Sequence, residues 1–499
     1  MSMLATVATL RATQTGRAQP LATVRHHHLD DHPFVLVPLT LAGEACAPLA
    51  ALAGTDPDHP TLLTVRRPRD RVQRFRFAEE LAALLLPYFE ECLAEAETYT
   101  VGKGEKAEER QQACRAPQLL VPNGEGIAYL RRLGRLTRLR STDGSHAVHP
   151  DVPKLGKWLT WFEGRAEFPG SSAMLAVSRV LTAHWATGQS SAEDSHLAAV
   201  VAWIDPPDGR TGAEAARETE NPLVWPPAGP ATDAGFDALL DDLLTRHAEA
   251  EGRVRERFGE RIDRALCEQL RPTWDLVWRG VGLARALPEG GHVEERWTSD
   301  RRRFTDYAAY LEEHGHPQGR RDRAVGAARR LGLLEDDTSR YQTQRAYDDP
   351  LVMAEYELSG EAFSGTVVAR DEDRFEPGKR TPRWRPTITV RSERPVRLTV
   401  GIKVKSPGRL KQPAEIIDVT PHEGVHLVTL ELSGGFANKR RPPAPEGTLA
   451  GIGETVTYTT LGVDSRPAKL PAEENTPWTH GGPPVPYEPT DEDAEEEWA

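Results

Sequence analysis

Cysteine is scarce in this chain: Cys46, Cys92, Cys114 and Cys267 are the only four among 499 residues, and no CxxC pair occurs. That spacing excludes a cysteine-rich zinc site and a disulfide scaffold, and it fits a reducing cytoplasm, the expected location. No apolar run approaches the roughly 18 residues that a membrane span needs, so no membrane partner is expected. Residues 1–25 carry scattered Arg and Thr without a continuous apolar stretch, so no secretory signal is expected either. Lysine is rare as well, ten of the 62 basic residues. Arginine clusters are therefore read partly as the coding bias of a GC-rich bacterial genome.

Several catalytic signatures are missing too. No GxxxxGK[ST] loop is present to cradle a nucleotide phosphate, which excludes a motor ATPase core within these residues. No Asp or Glu stands two positions before any lysine, so the [DE]xK half of a common nuclease site is absent. GxSxG is also absent, which removes one readily legible hydrolase site, while HExxH occurs once, at His422–His426. No catalytic residue, cofactor or metal is assigned on this basis.

What is present is ordinary globular material, 38 % hydrophobic and 27 % charged, long enough for about three domains. The expected fold class is α+β and multidomain. A flexible N-terminus (1–24) precedes a mixed α/β domain (25–207), a linker (208–231), a helical stalk (232–359), a small β-barrel (360–462) and a disordered Pro-rich acidic tail (463–499). Strands are expected at His32–Pro38 and Thr61–Val65, and an amphipathic helix over Phe77–Ala96, which Pro87 either kinks or breaks by starting a second helix. Ile127–Leu139 repeats Leu at three-residue steps with Arg on the other face. The polar segment Gly102–Arg115 reads as a connection and the apolar run Leu197–Ile204 as a buried strand. Ser299 is the expected cap of a helix carrying Phe304, Tyr307, Ala308 and Leu311.

Past Phe363 the apolar period changes to two: Ile388 and Val390, then Val396, Leu398 and Val400, then Ile402 and Val404, then Val428, Leu430 and Leu432. Six or seven short strands with one buried face point to a closed barrel, because closure removes exposed edges. The net charge of −13 is unevenly spread. Residues 360–462 hold 16 basic and 12 acidic residues, whereas 463–499 hold 2 basic and 10 acidic.

The basic residues form a constellation. Arg301, Arg302 and Arg303 begin one helix, and Arg320 and Arg321 precede its neighbour. The barrel adds Arg391, Arg397, Lys403 and Lys405 on outward faces, and a Gly-rich loop that ends in Lys439, Arg440 and Arg441. Cations beside flexible glycines can follow a phosphate backbone, and Trp384 and Phe436 could stack bases. The plainer alternative is a solvated face, with Trp384 capping the barrel.

The order of long helices, then FSGTVVARDEDR, RPTITVRSERPVRLTVGIKVKSP and ETVTYTTL, resembles the stalk and β-barrel insert of superfamily 1 helicases. It is also similar to bacterial proteins associated with such helicases. The resemblance covers about residues 235–462, lacks a motor and transfers no catalytic residue. It implies an accessory subunit that binds DNA or RNA and works with a helicase or other ATPase on another chain, in DNA repair or phage defence.

Two other functions remain open. His26, His28 and Asp30, or His146, His149 and Asp151, could supply imidazole and carboxylate ligands for a metal-dependent hydrolase or nuclease. Three adjacent His on a strand cannot all face one ion, and solvated His or a turn is the plainer reading. Alternatively the chain is a scaffold, with Trp478 in the Pro-rich tail anchoring a protein partner.

Overall fold

A computed structural model describes the chain except for residues 1, 42–46, 103, 105–106, 223–224, 226–231, 314, 320, 377–381, 437–440, 463–468 and 484–499. It is a mixed α+β protein with 12 helices among the described residues. The chain divides into two compact units: residues 5–334 with 468–499, and residues 1–4 with 335–467.

The larger unit is built on a five-stranded sheet in the order Thr61–Thr64, Pro48–Gly54, Phe34–Thr40, Leu119–Val121, Met174–Ala176. The last three strands run parallel and the first two add antiparallel. Successive side chains point to opposite faces, and here both faces are covered. Phe34, Leu36, Leu119 and Val121 meet Phe77, Leu81 and Phe89 of the helix Arg71–Leu93, Trp158 and Phe162 of Asp151–Ala166, and Trp297 and Phe304 of Val293–Glu313. Val35, Val37, Leu39 and Leu120 meet Leu197 and Val201, together with Ile262, Leu266, Trp274 and Val277 of Gly252–Arg285.

This packing corrects several expectations. The stretch 232–359 is not a stalk apart from the α/β domain, because Gly252–Arg285 and Val293–Glu313 supply the two cores that flank the sheet. The flexible N-terminus contains the helix Met3–Thr15, and the linker contains Gly212–Glu218, opened by a Thr211/Glu214 capping box. Leu197–Ile204 is a helix rather than a strand. Its Ala and Leu content favours helix, and His196 Nδ1 accepts the Ala199 N–H at 3.3 Å as its cap. The polar connection forms a hairpin of Ala96–Val101 with Glu108–Ala113. Ser299 lies inside a helix that already starts at Val293. Pro87 is carried within Arg71–Leu93, whose start is capped by the Asp70 side chain.

The smaller unit is a nearly closed six-stranded antiparallel barrel. Its strand order is Lys403–Val404, Ala414–His422, Val425–Leu432, Thr387–Ser392, Ala362–Asp371, Thr455–Thr459. The two outer strands meet where Lys405 and Thr459 exchange backbone hydrogen bonds of 2.8 and 2.9 Å. Register shifts at Val367/Ala369 and Ile416/Asp418 sharpen the bend that closure requires. Phe363, Val367, Ile388, Val390, Val428, Leu430 and Tyr458 fill the interior. The alternation at 396–400 is misleading: no strand forms there, only Leu398 is buried, and Val400 is 59 % exposed. Ile402 also faces outward. Among the described residues no helix is long and apolar enough to cross a membrane.

Candidate functional site

Residues 372–376 with 382–386, 405–413 and 433–436 share one end of the barrel, joined by Leu432 N–H to Pro386 O and Ser433 N–H to Pro413 O, each 2.9 Å. Trp384 and Phe436 plug this end, with ring centroids 4.7 Å apart. The rings are 5 % and 7 % exposed, and Trp384 Nε1–H donates to Glu372 O at 2.6 Å. Buried against each other, they present no face on which a base could stack, so the expectation that they form a stacking platform is withdrawn.

Arg383, Lys411 and Arg441, on segments at this end, are all exposed and all without an ion pair among the described residues. Arg383 lies opposite Glu376 in register, but that carboxylate is 3.5 Å from Arg385. Arg374 and Arg385 are engaged by Glu431, and Arg409 by Glu454 at 2.8 Å. Lys439 and Arg440 lie outside the described residues. Of the other barrel cations, Arg391 is 3.7 Å from Glu393, and Arg397 and Lys403 are exposed without ion pairs among the described residues. Lys405 is half-buried at the closure.

The helix arginines have acceptors of their own. Arg301 pairs with Glu97 at 2.7 Å and Glu294 at 3.3 Å. Arg302 Nε donates to Gln112 at 2.8 Å while its guanidinium lies 4.3 Å over Tyr99. Arg303 lies 5.5 Å over Phe168. Arg301, Arg302 and Arg303 thus hold internal contacts, which binding a phosphate there would have to loosen. Arg321 is exposed, and Arg320 lies outside the described residues.

Trp478 is not a free anchor. The Arg323 guanidinium sits 4.9 Å over its ring, Ala324 N–H donates to Pro477 O at 2.8 Å, and Thr479 N–H donates to Asp322 O at 2.6 Å. Residues 473–479 thus return to the chain's own surface instead of forming part of a disordered tail.

The six proposed metal ligands do not assemble. His26 is fully buried, stacked on His184 with centroids 5.4 Å apart, and its backbone N–H donates to His184 Nε2 at 3.1 Å. The Asp30 carboxylate accepts from His32 N–H at 2.9 Å and lies 3.4 Å from Arg115. His149 stands 3.5 Å from Asp151 on an exposed loop, and His146 does not join them in a ligand cluster. Among the described residues one group of ligand-type side chains converges: His28, Glu289 and Glu294, with ligand atoms within 4.8 Å of one another.

The segment carrying His28 is laced across the starts of the parallel strands. His28 N–H donates to Ser172 Oγ at 3.0 Å, and Gln118 Nε2 donates to His28 O at 2.8 Å. Ser172 N–H in turn donates to Asp300 at 2.7 Å. The His28 ring stacks on Trp297 at 4.3 Å, and its burial lowers its pKa from the ordinary value. Glu289 and Glu294 come from a turn and a helix start far along the chain, and no spacing in the sequence could have linked them to His28.

Two of the clefts among the described residues are lined by arginines. One, of about 820 Å³, is lined by Arg135, Arg138, Arg165, Trp161 and Tyr307, with the buried Glu163 paired to Arg135 at 3.4 Å. The other, of about 890 Å³, gathers Arg66, Arg67 and Arg255 around the buried His247. Comparison of the chain with protein-family models, curated proteins and solved structures finds no match.

Proposed function

We propose that this chain is a non-catalytic nucleic-acid-binding subunit that holds phosphate groups at the plugged end of its barrel and serves a helicase or other ATPase on another chain. The observation that carries this reading is that Arg383, Lys411 and Arg441, on segments at the Trp384–Phe436 end of the barrel, are exposed and without ion pairs among the described residues. Cations that have no carboxylate of their own can neutralise phosphates and release the counterions condensed on them. With both aromatic rings buried, the contact is to the backbone of the polymer, and little sequence preference is expected.

The link to an ATPase rests on the resemblance of element order to the helicase insert, and DNA repair or phage defence is the setting it suggests. Oligonucleotide binding by the whole chain at low salt tests the proposal. Single strands of unrelated sequence should bind alike and dissociate as salt rises. Absence of binding at low salt, or binding indifferent to salt, overturns it. Replacing Lys439, Arg440 and Arg441 with Ala should weaken binding uniformly across sequences.

A further inference from the structure

We propose that His28, Glu289 and Glu294 form a binding site for one divalent transition-metal ion, of the Mn²⁺, Fe²⁺, Co²⁺ or Zn²⁺ class. The three ligand atoms lie within 4.8 Å of one another, and His28 Nδ1 is 4.0 Å from Glu289 Oε2. That nitrogen is buried and has no hydrogen-bond partner, although two carboxylates stand beside it. A buried polar atom left so costs on the order of 1–3 kcal/mol, and a metal at this point would satisfy it.

The two chain segments are fixed relative to each other. Arg25 N–H donates to Pro288 O at 2.7 Å and Gly290 N–H donates to Arg25 O at 2.9 Å, an isolated bridge that joins the segment leading to His28 to the turn that carries Glu289. Trp297 against the imidazole and Ser172 Oγ on the His28 N–H fix the ring's position. Glu294 stands in the first turn of the helix Val293–Glu313.

Metal–ligand bonds of about 2.0–2.2 Å place neighbouring ligand atoms roughly 3.4 Å apart in a tetrahedral site, so the carboxylates must close in by about an ångström. The side chains of Glu289 and Glu294 are 34 % and 63 % exposed and can make that rotation. One imidazole nitrogen with two carboxylates and no thiolate is a donor set of intermediate softness. It disfavours Mg²⁺ and Ca²⁺, which take oxygen ligands, and disfavours Cu⁺, which takes sulfur. Three protein ligands leave coordination positions open on the solvent side. Arg25 on Glu289 and Arg301 on Glu294 balance the two carboxylates, and a bound ion would replace one or both guanidiniums.

The test is titration of the full, chelator-treated chain with Mn²⁺, Co²⁺ and Zn²⁺ by calorimetry, with the visible spectrum of the Co²⁺ form as a second readout. One equivalent should bind saturably, Mg²⁺ should not compete at similar concentration, and Co²⁺ should show ligand-field bands of a nitrogen–oxygen site. His28→Ala should weaken binding at least about tenfold. Because His28 also packs on Trp297, Glu294→Gln, at an exposed position, serves as the control for folding and should weaken binding comparably with an unchanged melting curve. Substoichiometric binding, or full-affinity binding by Glu294→Gln and Glu289→Gln, would overturn the assignment.

Discussion

Asp300 is 2 % exposed, accepts from the Ser171 hydroxyl at 2.9 Å and the Ser172 N–H at 2.7 Å, and lies 3.4 Å from Arg165, itself 8 % exposed. Burial raises its pKa, and Arg165 with these donors opposes the rise. Asp300→Ala would leave a buried guanidinium and a backbone N–H without their acceptor, and should cost about 3–5 kcal/mol of unfolding free energy in urea. A loss below about 1 kcal/mol would mean that water replaces the carboxylate.

His247 gives a prediction of opposite kind. Burial, then the Arg66, Arg255 and Arg67 guanidiniums, hold it below the ordinary histidine value of 6.5, with Asp263 opposing. The unfolded chain therefore takes up a proton that the folded chain refuses until lower pH. Stability from this group is full above about pH 6.5 and falls as pH drops towards the folded pKa. The urea midpoint should decline between about pH 7 and 5.5, and His247→Gln should flatten part of that decline. His196, also lowered by burial, would supply some of the remainder. At this scale the sequence was a poor guide. It marked His28 but not its companions, and it counted Arg301 as a free cation because nothing local revealed Glu97 and Glu294 beside it.

Elements were legible where one pattern had one cause. Ile388/Val390 and Val428/Leu430/Leu432 alternate because the barrel has one dry face, and they pair in the structure, Ile388 with Leu430 and Val390 with Val428. Pro48–Gly54 escaped notice because a strand buried on both faces shows no alternation, and here three of its seven residues are alanine. Leu197–Ile204 was misread for the related reason that a short, wholly apolar run has no period to measure. Gly365 carries a testable consequence of strand packing: a Cβ there would sit 2.3 Å from Arg391 O and 2.8 Å from Val390 Cγ1. Gly365→Ala must push two paired strands apart, and should lower stability by about 1–3 kcal/mol. A neutral result in thermal unfolding would show that the strand yields at this point.

Across the whole molecule, an acidic total conceals a barrel segment with 16 basic and 12 acidic residues. The sequence exposed that imbalance but not its arrangement, since among the described residues Arg370, Arg374, Arg385, Arg394 and Arg409 are spent on Glu372, Glu431, Glu357 and Glu454. What remains unspent among the described residues includes Arg383, Lys411 and Arg441 at the plugged end. Their role is tested most directly by the slope of log affinity for a single-stranded oligonucleotide against log salt concentration. The whole chain is compared with a variant carrying Arg383→Glu, Lys411→Glu and Arg441→Glu. Each lost phosphate contact should reduce the slope by roughly 0.7, so the variant should bind more weakly and its slope should be shallower by about two. Equal slopes and equal affinities for the two proteins would contradict the account.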